Sequence, residues 1–221
     1  LGLNVIASTG LDFPSTNVLE VGAEDTRDGY AWLRVSSLAS LTAADIRNIR
    51  FYIRVTLPDD LTDFEQHPVK DGNEAGDSNW MFKIMPPSTL DGEWYPRLHC
   101  QGGTNFRYEG PVLTKDTVTY RFEIQVVYVT TTTFRIHCRI YDTSGTLLYS
   151  DSDFVSDLSP NPTLASNPTN TVVNLASTVG LNAGSNGIGG TPSFPFIQSY
   201  QGCFAVGDGL AEGATIGAFG S

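Results

Sequence analysis

Two stretches near the middle of the chain alternate apolar and polar residues, and this pattern constrains the fold more than any other feature. The first runs from Tyr120 to Val129 and the second from Phe134 to Tyr141. A period of two is typical of β-strands, because successive side chains point to opposite faces of a sheet. We therefore predict two facing strands, joined through residues 130–133, with one apolar face and one polar face.

The polar residues of these strands are of the kinds that bind anions and sugars through directed hydrogen bonds. Arginine offers a rigid fork of donors that matches a carboxylate, and His, Gln, Glu and Tyr add further donors and acceptors. Residues 97–101 form another predicted strand with polar residues of the same kinds. The candidate ligand-binding residues of this face are Arg97, His99, Gln101, Arg121, Glu123, Gln125, Arg135, His137 and Arg139, and Tyr141 shares their phase.

Two predicted loops carry further candidates. Trp94 and Tyr95 are predicted ligand-binding residues, because they lie in a predicted turn region, residues 86–96, where flat amphipathic rings can stack on sugars; loop aromatics also commonly close the end of a sandwich. Residues 59–79 form a predicted acidic loop whose carboxylates could bind Ca²⁺, although their spacing is not that of an EF-hand. With three His and dispersed Cys we predict no transition-metal site, and no cofactor apart from this calcium option.

The composition favours a single all-β domain. The chain has 221 residues, of which 40% are hydrophobic and only 17% are charged, and it contains 22 Gly and 12 Pro. These values suit many short strands joined by turns.

The net charge of −11 argues against nucleic-acid binding through a basic field, and no stretch is apolar enough to insert into a membrane. Cys100, Cys138 and Cys203 lack the spacing of a disulfide framework, and we expect buried thiols.

The remaining patterns predict an antiparallel arrangement with one short helix. Residues 41–49 are predicted as that helix, since Thr42 and Asp45 have the spacing of a capping box. Residues 156–190 are rich in Ser, Asn, Gly and Pro and are predicted as an insertion with one short strand at 171–175. Too few helices remain to serve as crossovers, so we predict two antiparallel sheets packed as a jelly-roll β-sandwich, in a single domain of residues 1–221. The other predicted strands are 30–35, 50–57, 80–85, 147–150, 200–207 and 214–219.

The order of these segments resembles the concanavalin A-like, or laminin G-like, jelly-roll superfamily. That superfamily includes lectins, carbohydrate-binding modules, glycoside hydrolases, polysaccharide lyases and adhesive domains of surface proteins. The resemblance therefore implies contact with glycans and leaves the activity open. The likeness lies in Arg50-Phe-Tyr-Ile-Arg-Val, Trp80-Met-Phe-Lys-Ile, Arg97-Leu-His-Cys, Tyr120-Arg-Phe-Glu-Ile-Gln-Val, Phe134-Arg-Ile-His-Cys-Arg-Ile-Tyr and Gly202-Cys-Phe-Ala-Val-Gly.

Two enzyme classes of this superfamily make different demands on the sequence. Glycoside hydrolases need paired acids, and Glu123 has no second acid in its strand. Lyases that cleave uronic-acid polymers need a group that neutralises the carboxylate and a His or Tyr that moves protons. Arg121-Phe-Glu123 resembles the Arg-x-Glu strand of alginate lyases, and Arg135-Ile-His137 resembles their Gln-Ile/Val-His strand with Arg replacing Gln. If the chain is a lyase, this resemblance assigns catalysis to Arg121, Gln125, His137 and Tyr141.

The lyase pattern is incomplete, because Ser199-Tyr-Gln-Gly-Cys-Phe does not match the last motif of those enzymes. We therefore predict a non-catalytic sandwich that binds a polysaccharide or surface glycan, as an adhesive or outer structural module of a virion or cell surface. The alternatives are a lyase acting by β-elimination on a uronic-acid polymer and a purely structural, oligomer-forming domain. The expected location is extracellular or on a virion surface, with no nucleic-acid partner, no membrane insertion and a homo-oligomer as an option.

Overall fold

The computed structural model describes residues 2–23, 29–35, 46–56, 65–72, 78–85, 92–100, 106–130, 133–156, 171–179 and 196–220. These residues form mainly β-strands, with one 3-10 turn at Asp151–Asp153. No helix in this part of the chain is long and apolar enough to cross a membrane. The strands are β1 (Gly2–Ala7), β2 (Asn17–Ala23), β3 (Gly29–Val35), β4 (Ile46–Val55), β5 (Glu65–Gly72), β6 (Ser78–Met85), β7 (Glu93–Cys100), β8 (Phe106–Glu109), β9 (Leu113–Thr114), β10 (Tyr120–Tyr128), β11 (Phe134–Tyr141), β12 (Leu147–Tyr149), β13 (Val155–Ser156), β14 (Thr171–Val179) and β15 (Phe196–Asp208).

The strands form two sheets that pack face to face. The seven-stranded sheet has the order β1-β2-β15-β4-β10-β11-β12, and the eight-stranded sheet has the order β13-β8-β7-β6-β5-β14-β3. Strand β9 pairs with β7 outside this order. Neighbouring strands are antiparallel in both sheets. The prediction of an all-β, antiparallel two-sheet sandwich is therefore confirmed.

The apolar phase of the strands forms a core between the two sheets. Phe51 of β4 and Phe122 of β10 stack with ring centroids 5.4 Å apart. Phe82 of β6, from the other sheet, meets both rings edge-on at 5.1 and 5.0 Å, a favoured geometry for aromatic pairs. The alternation predicted for the central strands is confirmed, since the core contains Tyr120, Phe122, Ile124, Val126 and Tyr128 of β10 and Phe134, Cys138 and Ile140 of β11. Cys138 is a buried free thiol, as expected, whereas the free thiol of Cys203 is only partly buried.

Four predicted segments differ in the structure because strand pairing overrides local composition. Residues 46–49 are not helical but begin β4, where Ile49 continues the buried phase; residues 41–45 lie outside the described part. The predicted acidic loop, residues 59–79, contains β5, and the predicted turn region, residues 86–96, ends within β7. Strand β14 lies between β5 and β3, so the predicted insertion supplies an integral strand of the sheet.

The C-terminal residues depart most clearly from their prediction. Residues 214–219 do not form a closing strand; they follow β15 as an irregular segment that crosses the outer face of the seven-stranded sheet. Gly213 and Gly217 have φ values of +81° and +91°, which lie outside the β region and favour glycine. The glycines therefore let this segment turn instead of extending a sheet.

We expect the aromatic contact between the sheets to dominate the stability of the fold. Phe122→Ala should lower the free energy of unfolding by about 3–5 kcal/mol, because it removes a buried ring and leaves a cavity. Leu147→Ala, at a position that is 50% exposed, is the control and should change it by less than about 0.5 kcal/mol. Denaturant titration followed by circular dichroism measures both, and equal losses would contradict the packing described above.

Candidate functional site

The polar phase of β4, β10 and β11 forms the outer face of the seven-stranded sheet, called the polar face below. Strand register arranges its side chains in rows across the three strands. The first row contains Tyr52, Arg121 and Tyr141, the second Arg50, Glu123 and Arg139, and the third Asn48, Gln125 and His137, with Arg135 opposite Val127 beyond them. The lyase candidates Arg121, Gln125, His137 and Tyr141 thus share one face with the binding candidates Glu123, Arg135 and Arg139.

Residues 210–219, called the strap below, run across the polar face. The strap begins with a turn in which the Ala214 N–H donates to the Ala211 carbonyl at 3.0 Å. Gln125 donates to the Ala211 carbonyl at 3.2 Å and accepts from the Gly213 N–H at 2.9 Å. Arg139 donates to the carbonyls of Gly213 and Ala214 at 2.7 and 3.1 Å. Side chains of the sheet thus hydrogen-bond to backbone groups of the strap.

The middle of the strap is held by a buried carboxylate and a guanidinium. Glu123, which is 2% exposed, accepts hydrogen bonds from the N–H groups of Ile216 and Gly217 at 2.9 and 3.1 Å. Arg50 donates to the carbonyls of Gly217 and Ala218 at 3.1 and 2.9 Å. The backbone N–H groups of the strap therefore find an acceptor on the polar face, and its carbonyl groups find a donor there.

The strap ends at Phe219, whose contacts are weaker. Its N–H donates to the Tyr52 hydroxyl at 3.3 Å, and its ring centroid lies 5.9 Å from the Arg50 guanidinium. The Phe219 side chain is still 47% exposed. The buried hydrophobic core of the described residues includes no residue of the strap.

Glu212 of the strap contacts two basic residues, Arg135 and His137, at one end of the polar face through its carboxylate. Its oxygens accept from Arg135 Nη2 at 2.8 and 2.9 Å and from Arg135 Nε at 3.2 Å. Glu212 Oε1 also lies 2.8 Å from His137 Nε2. A forked guanidinium contact of this kind is among the stronger and more directional hydrogen-bond arrangements in proteins. The pair remains partly open to solvent, with Arg135 39% and Glu212 38% exposed.

The other ring nitrogen of His137 faces Asp151, in the 3-10 turn after β12. Asp151 Oδ2 lies 2.6 Å from His137 Nδ1. Asp151 Oδ1 accepts from the Cys138 N–H at 2.6 Å and from the Tyr108 hydroxyl at 3.0 Å. Asp151 therefore links β11 of one sheet to β8 of the other.

These contacts favour the charged forms of His137 and both carboxylates. The pKa of His137 is raised, chiefly by the hydrogen bond to Asp151 and further by Glu212, although burial acts against it. Burial alone would raise the pKa of Asp151, but hydrogen bonds from His137 and Cys138 hold it below its ordinary value. The pKa of Glu212 is lowered by hydrogen bonds from His137 and then Arg135. A histidine held as a cation is poorly suited to act as a general base.

Arg121 and Tyr141 are buried at the other end of the polar face. They are 3% and 6% exposed, and the Arg121 guanidinium lies 4.0 Å from the Tyr141 ring centroid. Arg121 Nη2 also lies 3.3 Å from Glu123 Oε1. Both lyase candidates are thus engaged by neighbouring side chains of the sheet.

Arg97, in β7, lies on the opposite side of the sandwich. Arg97 alternates with the buried Leu98 in the eight-stranded sheet, so the prediction that it shares a surface with Arg121 is wrong. Arg97 instead pairs with Glu109 at 2.6 Å and donates to the Tyr95 hydroxyl at 3.0 Å. The side chain of His99 and the whole of Gln101 lie outside the described residues.

Trp94 belongs to the core and not to a sugar-binding loop. It is 0% exposed in β7, and its ring lies 5.9 Å from that of Phe122. The prediction of an accessible Trp94 is therefore wrong, because residues 93–96 continue a strand whose inner phase includes it. Tyr95, on the outer phase, is half-buried beside Arg97, with the guanidinium 5.6 Å from its ring centroid.

No group of three or more His, Cys, Asp or Glu side chains within the described ranges is arranged to hold a metal ion. The predicted calcium-binding loop lies partly outside those ranges, at residues 59–64 and 73–77.

Three residues important to the polar face were not among the sequence candidates: Arg50, Asp151 and Glu212. Arg50 could have been found from the polar phase of its strand, whereas nothing in the local sequence distinguishes Asp151 or Glu212.

Similarity to known proteins is confined to the fold. No protein-family model matches the chain, and no curated protein matches it significantly. The solved structure of the alginate lyase Aly36B aligns with a TM-score of 0.51 and 11% identity, covering 93% of this chain and 86% of that one. The family 18 polysaccharide lyase aly-SJ02 gives 0.44 and 7%, covering 76% and 74%, and the globular domain of T. cruzi calreticulin gives 0.42 and 12%, covering 94% and 80%. The chain has the concanavalin A-like jelly-roll fold, which by itself does not define an activity.

We expect the network around His137 to stabilise the protein most between about pH 4.5 and 6.5, the ordinary pKa values of Glu212 and His137. The raised pKa of His137 gives a contribution that is complete below pH 6.5 and lost as the pH rises through the folded-state pKa. The lowered pKa values of Asp151 and Glu212 give contributions that are complete above their ordinary values and lost as the pH falls. Melting temperatures of wild type and His137→Gln, measured within this range and on both sides of it, test the effect; a difference between the two proteins that does not change with pH would contradict it.

Asp151→Asn tests the largest cause of the raised pKa of His137, the hydrogen bond to Asp151. NMR titration of the imidazole, assigned by comparison with His137→Gln, should show the His137 pKa above 6.5 in the wild type and lower in the variant. An imidazole that titrates identically in both proteins would contradict the contact described here.

Proposed function

We propose that this protein is a non-catalytic module that binds carboxylated polysaccharides on the polar face. The observation that carries this proposal is the carboxylate of Glu212, held by the forked guanidinium of Arg135 and by His137. A uronic acid presents the same planar anion to the same donors. Both basic side chains remain partly exposed, at 39% and 25%, so this end of the face is the part that a ligand reaches first.

The neighbouring rows supply the hydrogen-bonding groups that sugar hydroxyls require. Arg139 and Arg50 act as donors, Glu123 acts as an acceptor, and Gln125 acts as both. A hydroxyl group donates and accepts in turn, so a polysaccharide can satisfy such a mixed surface. The chain as a whole carries a net charge of −11, and the arginines of the polar face set this surface apart from that acidic background.

The state of the candidate catalytic residues supports binding over catalysis. Tyr141 is 6% exposed, and its ring packs against the Arg121 guanidinium. His137 lies between two carboxylates that favour its cationic form. Proton abstraction next to a uronic carboxylate requires a neutral base or a phenol that reaches the sugar, whereas His137 is held as a cation and Tyr141 is buried against Arg121.

A polysaccharide lyase is the second candidate, because Arg121, Gln125, His137 and Tyr141 lie on one face of a fold shared with the alginate lyase Aly36B. The two candidates differ in product formation. A lyase produces the ultraviolet absorbance of unsaturated uronic acids when mixed with alginate, ulvan or glucuronan, whereas a binding module retains the polymer without that absorbance. We further propose an extracellular or virion-surface location for the binding module.

Binding is tested by retention on a panel of immobilised acidic and neutral polysaccharides. Because Arg135 also holds Glu212, its role towards a ligand is isolated in a Glu212→Ala background. Adding Arg135→Ala there should weaken retention of a uronate polymer about tenfold, or about 1.4 kcal/mol, through loss of a charge-assisted contact. Adding Arg97→Ala, which removes an arginine from the opposite side of the sandwich, should leave retention unchanged.

Equal losses from Arg135→Ala and Arg97→Ala would indicate nonspecific attraction and contradict a site on the polar face. Retention of neutral polymers as strongly as uronates would contradict the carboxylate specificity. A chain that retains no polysaccharide and forms concentration-dependent oligomers would favour the purely structural alternative.

A further inference from the structure

We propose that the strap, residues 210–219, is an intramolecular occupant of the polar face that a polysaccharide displaces when it binds. This inference rests on the proposed function, and it adds an autoinhibitory contact to that site. The strap bonds to the side chains that would serve the ligand: Gln125, Arg139, Glu123 and Arg50 through its backbone, and Arg135 and His137 through Glu212. Strap and polymer cannot use these groups at the same time.

The contacts of the strap are of a kind that a ligand can replace. Side chains of the sheet donate to backbone carbonyl groups of the strap and accept from its backbone N–H groups, and these contacts do not follow a strand register. Sugar hydroxyls supply the same donors and acceptors, and a uronic carboxylate substitutes for that of Glu212. The exchange therefore replaces like with like and need not leave a buried polar group unpaired.

The strap is also weakly anchored by apolar contacts. Leu210 and Phe219 are 37% and 47% exposed, and the strap contributes no residue to the buried core of the described part. By contrast, Phe204 and Val206 of the preceding strand β15 pack against that core. Before Asp208 the chain is therefore held by apolar packing against the core, and from Leu210 onward it is held mainly by hydrogen bonds.

Gly209 provides a hinge between these two parts. Its φ is +98°, and a Cβ atom placed on it would meet no atom within 4 Å. Glycine has the widest conformational freedom of any residue, and open surroundings let that freedom be used. The strap can thus rotate away from the sheet without disturbing β15.

The strap leaves part of the polar face imperfectly satisfied. The Nε atoms of Arg50 and Arg121 are buried and make no hydrogen bond within the described residues. Buried donors of this kind destabilise the state in which they lack a partner. A ligand that reaches them would gain contacts that the strap does not make, which favours displacement.

Hydrogen exchange of the wild-type chain tests the displacement directly. We expect saturating uronate oligosaccharide to accelerate exchange of the amides of Gly213, Ile216 and Gly217, because their acceptors, Gln125 and Glu123, pass to the ligand. Amides of the central strand β10 should remain protected under the same conditions. Binding with unchanged or slower exchange in the strap would overturn the inference and leave the proposed function standing.

Loosening the strap should strengthen binding, because the apparent dissociation constant falls as the competent fraction rises. Glu212→Ala with Phe219→Ala should tighten uronate binding by about fivefold or more. Glu109→Ala, which breaks the matching pair with Arg97 on the opposite sheet, is the control for removal of a negative charge and should not tighten binding comparably. Equal effects of the two changes would overturn the inference.

Failure of the proposed function has a different signature. If neither the wild type nor the Glu212→Ala, Phe219→Ala variant binds any uronate polymer, while circular dichroism shows both folded, the proposed function is wrong. The displacement inference is then wrong with it, and the strap is a permanent part of the fold.

Discussion

The buried carboxylate of Glu123 is the constraint on which the polar face depends. It is 2% exposed at the centre of the seven-stranded sheet, and burying an ion without partners costs on the order of several kcal/mol. Arg121 lies 3.3 Å away, and the backbone N–H groups of Ile216 and Gly217 complete its hydrogen bonds. A sheet that carries a carboxylate here therefore needs donors from above its face. The strap is the part of the chain that supplies them.

The register of β4, β10 and β11 couples this polar face to the core. Phe51 and Phe122 lie opposite each other on the inner phase, so Arg50 and Glu123, one residue along each strand, lie opposite each other on the outer phase. A shift of one residue in the pairing register would turn the aromatic rings to the outer face and the charged groups into the hydrophobic core. Stacking between Phe51, Phe122 and Phe82 thus fixes the rows of the polar face as well as the packing of the two sheets.

The sequence predicted those parts of the structure that follow from local alternation. The inner and outer phases of β10 and β11 agree with it, because Ile124 packs in the hydrophobic core whereas Gln125, the next residue, faces outward and hydrogen-bonds to the strap. Features that depend on distant partners could not be predicted in this way. Trp94 belongs to a strand that pairs with β6, and Glu212 acquires its role from Arg135 and His137, 77 and 75 positions earlier in the chain. Gly217 lies within the predicted strand 214–219, but its φ of +91° is outside the β region.

Covalent attachment determines which ligands could replace the strap. A tethered segment competes at an effective concentration of about millimolar, set by the short connection to β15. A single sugar that contacts only Arg135 and His137 would have to overcome this competition with one carboxylate. A polymer that spans the face can engage Arg135, Arg139 and Arg50 together. Its contacts are linked along one chain, as those of the strap are, so their binding free energies reinforce one another. Under the proposed function, the geometry therefore favours extended, carboxylated chains over monosaccharides, and both the length and the charge of the ligand would determine binding.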